Sequence, residues 1–170
     1  MITFQKVDHT RRRLLRDIAE STFRDTYSHL NDPDQFEVYC SDHFSQERID
    51  RELEEASSTF FFLIQVEQTI GYTKLNFGNA QTETMPEDHL EIERFYLCSG
   101  HHGKGYGRSM MEFIKDYARS QSYRTLWLGV WEKNPKALAF YARMGMTRHG
   151  SHTFVIGDDR QTDYIMKMDI

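Results

Sequence analysis

The sequence is short of the residues that mark several protein classes. Cysteine occurs twice in 170 residues, at Cys40 and Cys98, with no Cys-x-x-Cys or other ligand spacing. No disulfide framework or zinc module is expected, and both thiols are read as reduced. Three prolines and no Pro/Gly/Ser-rich linker, repeat or low-complexity tract leave nothing to divide the chain, which is read as one domain over 1–170. The longest apolar runs, 59–64 and 125–131, fall far below the roughly 20 residues that cross a bilayer. The first residues lack a basic segment followed by an apolar one, so no membrane partner or secretory signal is expected and the location is read as cytoplasmic. A basic excess is missing as well: 21 Lys and Arg against 26 Asp and Glu give −5, which disfavours nucleic acid and fits a cationic partner. Eight histidines show no His-x-x-x-His or His-x-His spacing, so no metal is expected, and no Gly-x-Ser-x-Gly elbow supports a serine hydrolase.

What is present is a core-forming mixture, 39% apolar and 14% aromatic. Residues 2–7 read as a short strand. Leu15, Ile18, Ala19, Thr22 and Phe23 recur at helical spacing, and 32–56 reads as one or two further helices with Ile49, Leu53 and Ala56 on one stripe. Residues 59–66 and 70–77 form an antiparallel hairpin about the polar turn 67–69, and a polar loop, 78–88, leads to a fourth strand at 90–97. A glycine-rich turn opens a helix marked by Met110, Phe113, Ile114 and Tyr117. The strand at 125–131 is apolar on both faces, as in the middle of a sheet, and the intervening helix makes it parallel to the fourth strand. Asn134-Pro135 suits the cap and first position of a helix carrying Ala137, Phe140, Tyr141 and Met144, which Gly145 ends. A closing hairpin, 146–156 with 161–169, completes an α/β fold: a mixed, mostly antiparallel sheet with one central parallel pair, flanked by helices.

The turn His102-Gly103-Lys104-Gly105-Tyr106-Gly107 places alternate glycines at a helix entry. Free backbone amides and the helix dipole there suit a pyrophosphate. The spacing is neither a Walker loop nor a dinucleotide fingerprint, since Arg108 stands where the latter needs glycine. With His102-x-x-Gly105-x-Gly107 followed by Asn134-x-x-Ala137-x-x-Phe140-Tyr141-x-x-x-Gly145-Met146, the chain resembles the Gcn5-related N-acetyltransferases (GNAT). The first motif position departs from the family's Gln or Arg, and the last residue of the second motif is altered. Leu-Glu-Ile-Glu-Arg (90–94), Trp-Leu-Gly-Val-Trp-Glu-Lys-Asn (127–134), Gln-Thr-Asp (161–163) and Phe-Arg-Asp-Thr (23–26) resemble the PaiA-type branch, bacterial spermidine/spermine N-acetyltransferases.

The resemblance implies acetyl-CoA as cosubstrate, held by the backbone of Phe95, Tyr96 and Leu97, by the loop His102, Gly103, Lys104, Gly105, Tyr106, Gly107 and Arg108, and by Asn134 and Tyr141. It also implies a splayed parallel strand pair, and Tyr141 as the acid that protonates the departing thiolate. An amine of pKa near 10.4 is only about 1 part in 2,500 neutral at pH 7, so a base is needed. Glu91 and Glu93 lie two apart on one strand, hence on one face, and Glu91 matches the family's base better. Charge is segregated: residues 31–58 hold nine acids and two bases (−7), and residues 100–124 hold five bases and two acids (+3). That pattern points to a cationic acceptor, a polyamine first, drawn toward the acidic helices. Open alternatives are another small amine, a protein N-terminus, or a non-catalytic acetyl-CoA-binding regulatory module. Homodimers are common in the family.

Overall fold

A computed structural model describes the backbone of residues 1–170 and every side chain except that of Phe154. Seven strands form one sheet in the order β1-β2-β3-β4-β5-β7-β6: β1 Ile2–Lys6, β2 Ser58–Gln65, β3 Gln68–Asn76, β4 His89–Leu97, β5 Thr125–Trp131, β6 Thr147–Ile156 and β7 Asp159–Asp169. Only β4 and β5 run parallel, joined by the crossover helix α4 (Tyr106–Ser120); every other neighbouring pair is antiparallel.

The acidic segment resolves into two helices, α2 (Pro33–His43) and α3 (Gln46–Glu54), because two caps interrupt it. Asp32 accepts from the amides of Asp34 and Gln35, with Pro33 at the first position, and Ser45 accepts from the amide of Arg48. With α1 (Arg12–Tyr27) they cover one face of the sheet. Phe60, Phe62 and Tyr72 meet Leu15, Phe23, Phe36 and Ile49 there. Strand alternation sends Phe61 and Leu63 to the opposite face, where α4 supplies Met110, Met111, Ile114 and Ala118 against Leu90, Ile92, Leu126 and Leu128. The unbroken apolar run of β2 thus feeds two cores. The last helix, α5 (Pro135–Arg143), ends at Gly145, whose φ of +97° turns the chain so that the Met146 amide bonds Tyr141 O at 3.0 Å.

The first strand ends one residue earlier than the expected 2–7, and the closing hairpin pairs through Asp159 around a tighter turn. Among the described residues, no helix is long and apolar enough to cross a membrane.

Candidate active site

The parallel ladder between β4 and β5 is short: His89 faces Thr125, Leu90 faces Leu126 and Glu91 faces Trp127, and there it stops. The outer edges continue, β4 against β3 as far as Leu97 and β5 against β7 as far as Trp131, so the inner edges diverge. A cause lies on β4. Lys74 of β3 faces Arg94 while Leu75 faces Ile92, which leaves Glu93 as an extra residue in a β-bulge. Bulges bend and twist the strand that carries them. Past the seam, Phe95, Tyr96 and Leu97 present backbone groups to a gap that an extended, amide-bearing arm fits as a short strand.

The loop that follows rises over this gap. Gly100, Gly103 and Gly105 have φ of +80°, +74° and +84°, values that L side chains adopt at a cost of roughly 1–2 kcal/mol. Gly107 is small for another reason: a Cβ there would lie 3.3 Å from the Phe140 ring, where α4 packs against α5. Helix α4 starts without a side-chain cap, and its first closed turn is Ser109 N to Gly105 O, so the amides of 106–108 have no partner within the helix. This end carries about half a positive charge. His102, Lys104 and Arg108 are exposed, and both cations are free of ion pairs among the described residues. The cradle fits a pyrophosphate through backbone amides. Tyr106 turns its hydroxyl away, toward Gln65 Nε2 at 2.6 Å, so it belongs to the cradle by backbone alone.

Across the gap, Asn134 caps α5 by accepting from the Ala137 amide at 3.1 Å. Tyr141 is 9% exposed, its ring edge-on to Phe95 at 6.0 Å. Burial, with the nearby Tyr27 hydroxyl second, raises its pKa far above the ordinary phenol range. Tyr141 therefore keeps its proton at any working pH.

On the sheet's α1–α3 face lies a cavity of about 350 Å³. Glu91 and Glu93 both reach it, as the strand spacing predicts, but they differ chemically. Glu91 is 2% exposed; burial raises its pKa, and hydrogen bonds from Thr82 and Asn76 offset only part of that. Glu93 is also desolvated, yet the charges of Arg94 and Lys74 outweigh burial and lower it. Lys74 Nζ sits 2.6 Å from Glu93 and 3.2 Å from Glu52, and Arg94 Nη2 is 2.9 Å from Glu52. Asn76, fully buried, donates to both carboxylates, at 3.1 Å to Glu91 and 2.6 Å to Glu93. Of the two, Glu91 has the higher proton affinity.

The acidic helices do not face this cavity as the charge count leads one to expect. Their lining residues are Tyr39, His43, Phe44 and Arg48, and none of the nine carboxylates of 31–58 is among them. Asp32 caps α2, Glu37 pairs with Arg24, Asp50 with Arg12, and Glu52 is spent on Lys74 and Arg94. The carboxylates that do line it, Glu83, Glu91, Glu93 and Asp163, come from a loop and from β4 and β7.

Sequence reasoning missed several lining residues. His152 of β6 lies between Glu83 (2.9 Å) and Asp163 (3.6 Å), and its pKa is raised, chiefly by Asp163. Gly129 makes room for it, since a Cβ there would stand 3.0 Å from the imidazole. Among the described residues, Arg94 Nη1 is buried at the cavity without a hydrogen-bond partner, while the Tyr72 hydroxyl lies beside the Thr22 oxygen, which can accept from it because the Thr22 proton goes to Ile18 O. Asp163 Oδ1 is likewise unpartnered. The motif Gln-Thr-Asp (161–163) marked Asp163, but nothing local in the sequence marks its pairing with His152 across two strands.

An open sheet with one splayed parallel pair, crossed by a helix that starts in a glycine loop, is the architecture of an acetyltransferase. The chain matches the acetyltransferase (GNAT) family over residues 15–146 and belongs to that family. Its relatives are named N-acetyltransferases or, in one case, streptothricin acetyltransferase, and it is accordingly an acyltransferase enzyme. One, an uncharacterized N-acetyltransferase in the pepI 3' region of Lactobacillus delbrueckii subsp. lactis, is 39% identical over 150 residues, 88% of this chain and 87% of its own. Among solved structures, the PaiA N-acetyltransferase of Thermoplasma acidophilum in complex with coenzyme A superposes with a TM-score of 0.78 at 17% identity, covering 100% of this chain and 99% of that one. The spermidine N-acetyltransferase of Vibrio cholerae in complex with CoA and spermine gives 0.73 at 17% identity, covering 99% and 95%. At such identities the likeness is one of fold.

Proposed function

We propose that the chain is a single-domain enzyme that transfers the acetyl group of acetyl-CoA directly to a primary amine, with a polyamine such as spermidine or spermine as the leading acceptor. The observation that carries this is the position of Glu91. It is the last paired residue of the β4–β5 seam, with the gap beyond it and the cavity beside it. A thioester at the seam supplies the activated acetyl group, and no covalent enzyme intermediate is called for. The chain's own part is then threefold. Backbone of 95–97 and the amides of 106–108 orient the cosubstrate, with Asn134 at its flank; Glu91 holds the amine's proton; Tyr141 offers a proton to the departing sulfur.

The polyamine reading is supported by the four carboxylates that line the cavity, by the unpartnered Asp163 Oδ1 among them, and by the spermine carried by the Vibrio cholerae neighbour. A second reading has its own observation. Arg94 Nη1 is an unused donor at the same cavity among the described residues, and burying a donor without a partner is costly, roughly 1–3 kcal/mol. It suits an amine that also bears a carbonyl or carboxylate oxygen, such as an amino acid or a peptide N-terminus.

Release of free thiol from acetyl-CoA over spermidine, spermine, aminoglycosides, amino acids and short peptides separates these readings. Fastest release with polyamines is expected. Preference for amino acids or peptides would move the assignment to the second reading, and binding of acetyl-CoA with no release for any amine would make the chain a binding module.

A further inference from the structure

Glu91 meets the cavity from behind three hydrogen bonds. Its Oε2 accepts from the Thr82 amide at 2.8 Å and from Asn76 Nδ2 at 3.1 Å, and its Oε1 accepts from the Thr82 hydroxyl. An amine in the cavity meets Thr82 first, because that residue is exposed and lines the cavity while Glu91 is 2% exposed. With its proton given to Glu91, the Thr82 oxygen can only accept on its cavity side. The loop is also fixed on either side of it. Gln81 Oε1 takes the indole N–H of Trp127 on β5 at 2.7 Å, and Glu83 pairs with His152 on β6 at 2.9 Å. Three consecutive residues thus hold three strands, with the hydroxyl locked between two anchors.

We propose that Thr82 is a catalytic residue, its hydroxyl relaying the amine's proton to Glu91. The proposal rests on Glu91 as the base. As the amine nitrogen forms its bond to the acetyl carbon and the C–S electron pair leaves with sulfur, the N–H proton passes to Thr82 Oγ1, and the proton already on Thr82 passes to Glu91 Oε1. Threonine ends as it began. Glu91 later gives its proton to solvent, and the thiolate takes one from Tyr141, which recovers it from solvent. Glu93 cannot substitute, since its Oε2 is held by Lys74 and Asn76, both at 2.6 Å. The groups facing Glu91 from β3 and β5, Asn76 and Trp127, are uncharged; burial first, and then Glu93 on its own strand, raise its proton affinity, while hydrogen bonds from Thr82 and Asn76 lower it.

The test is the pH profile of kcat/KM for Thr82→Val, Thr82→Ser and Glu91→Gln in the full chain, each with its acetyl-CoA Kd. Thr82→Val is expected to lose about 10²-fold on the high-pH plateau, the lower end for a proton-transfer group. Thr82→Ser keeps the hydroxyl and is expected to stay within about threefold. Both should bind acetyl-CoA as the parent does. If Thr82→Val keeps the parent's plateau and only its acid limb moves to higher pH, Thr82 merely donates to Glu91 and the relay is wrong. If Glu91→Gln turns over like the parent, the base assignment falls and the relay with it. An inactive Glu91→Gln beside a fully active Thr82→Val would remove the relay alone.

Discussion

The two faces of the central strands are made of the same backbone and obey different rules. Toward α4, Leu90, Ile92, Leu126 and Leu128 meet methionines and an isoleucine in a dry layer. Toward α1–α3, Glu91, Glu93, Arg94 and Lys74 lie among Asn76, Tyr72 and Tyr96, with Glu52 below them and a cavity beside them. One face is held by area removed from water; the other is held by partners that must all be in place. Buried ion pairs of this kind add little net stability over apolar residues, while loss of one partner is costly. The polar face is thus a site that the dry face supports.

Two substitutions sharpen that contrast. Leu126→Ala empties a fully buried position on the dry face, and a loss of about 2–5 kcal/mol is expected, a large part of the roughly 5–15 kcal/mol that holds a domain. Denaturant titration measures it, and activity per folded molecule should stay at the parent's level. His152→Gln acts on the polar face and more weakly. The folded-state pKa of His152 is raised by Asp163 and Glu83. Its stabilising contribution is therefore complete below the ordinary value of about 6.5 and fades as pH rises through the higher folded value. Melting temperature followed across that window should fall more steeply in the parent than in His152→Gln, with a difference below about 1 kcal/mol. Parallel curves would mean that the histidine carries no charge between the two carboxylates.

The same contrast explains what could be read in advance. Helical spacing at Leu15 to Phe23 and at Met110 to Tyr117 reports apolar faces directly; these helices and the parallel pair stand where the sequence places them, and the two hairpins form with strand ends shifted by one or two residues and tighter turns. The glycine loop and the α5 motif were legible because backbone conformation and capping leave local signatures, as Gly105 and Asn134 do. The polar face was legible only along one strand. That Glu91 and Glu93 share a face follows from strand alternation; that burial raises the pKa of one while ion pairs lower that of the other depends on Asn76, Lys74, Thr82 and Glu52, which other elements bring in. The bulge at Glu93 leaves no mark in composition, yet it switches the strand's parity so that Arg94 and Tyr96 face the cavity. Counting charge by segment failed for the related reason that a carboxylate's direction, and its partner, are tertiary facts.

The claim that this seam catalyses acetyl transfer is tested most directly at Tyr141, whose hydroxyl is the proposed proton donor and whose ring packs against Phe95. Turnover and acetyl-CoA Kd should be measured on one preparation of Tyr141→Phe with the best acceptor found for the parent. The account predicts kcat lower by at least about 10²-fold, the scale of a lost proton donor, with the Kd within about threefold of the parent's. Equal turnover by Tyr141→Phe and the parent would contradict it.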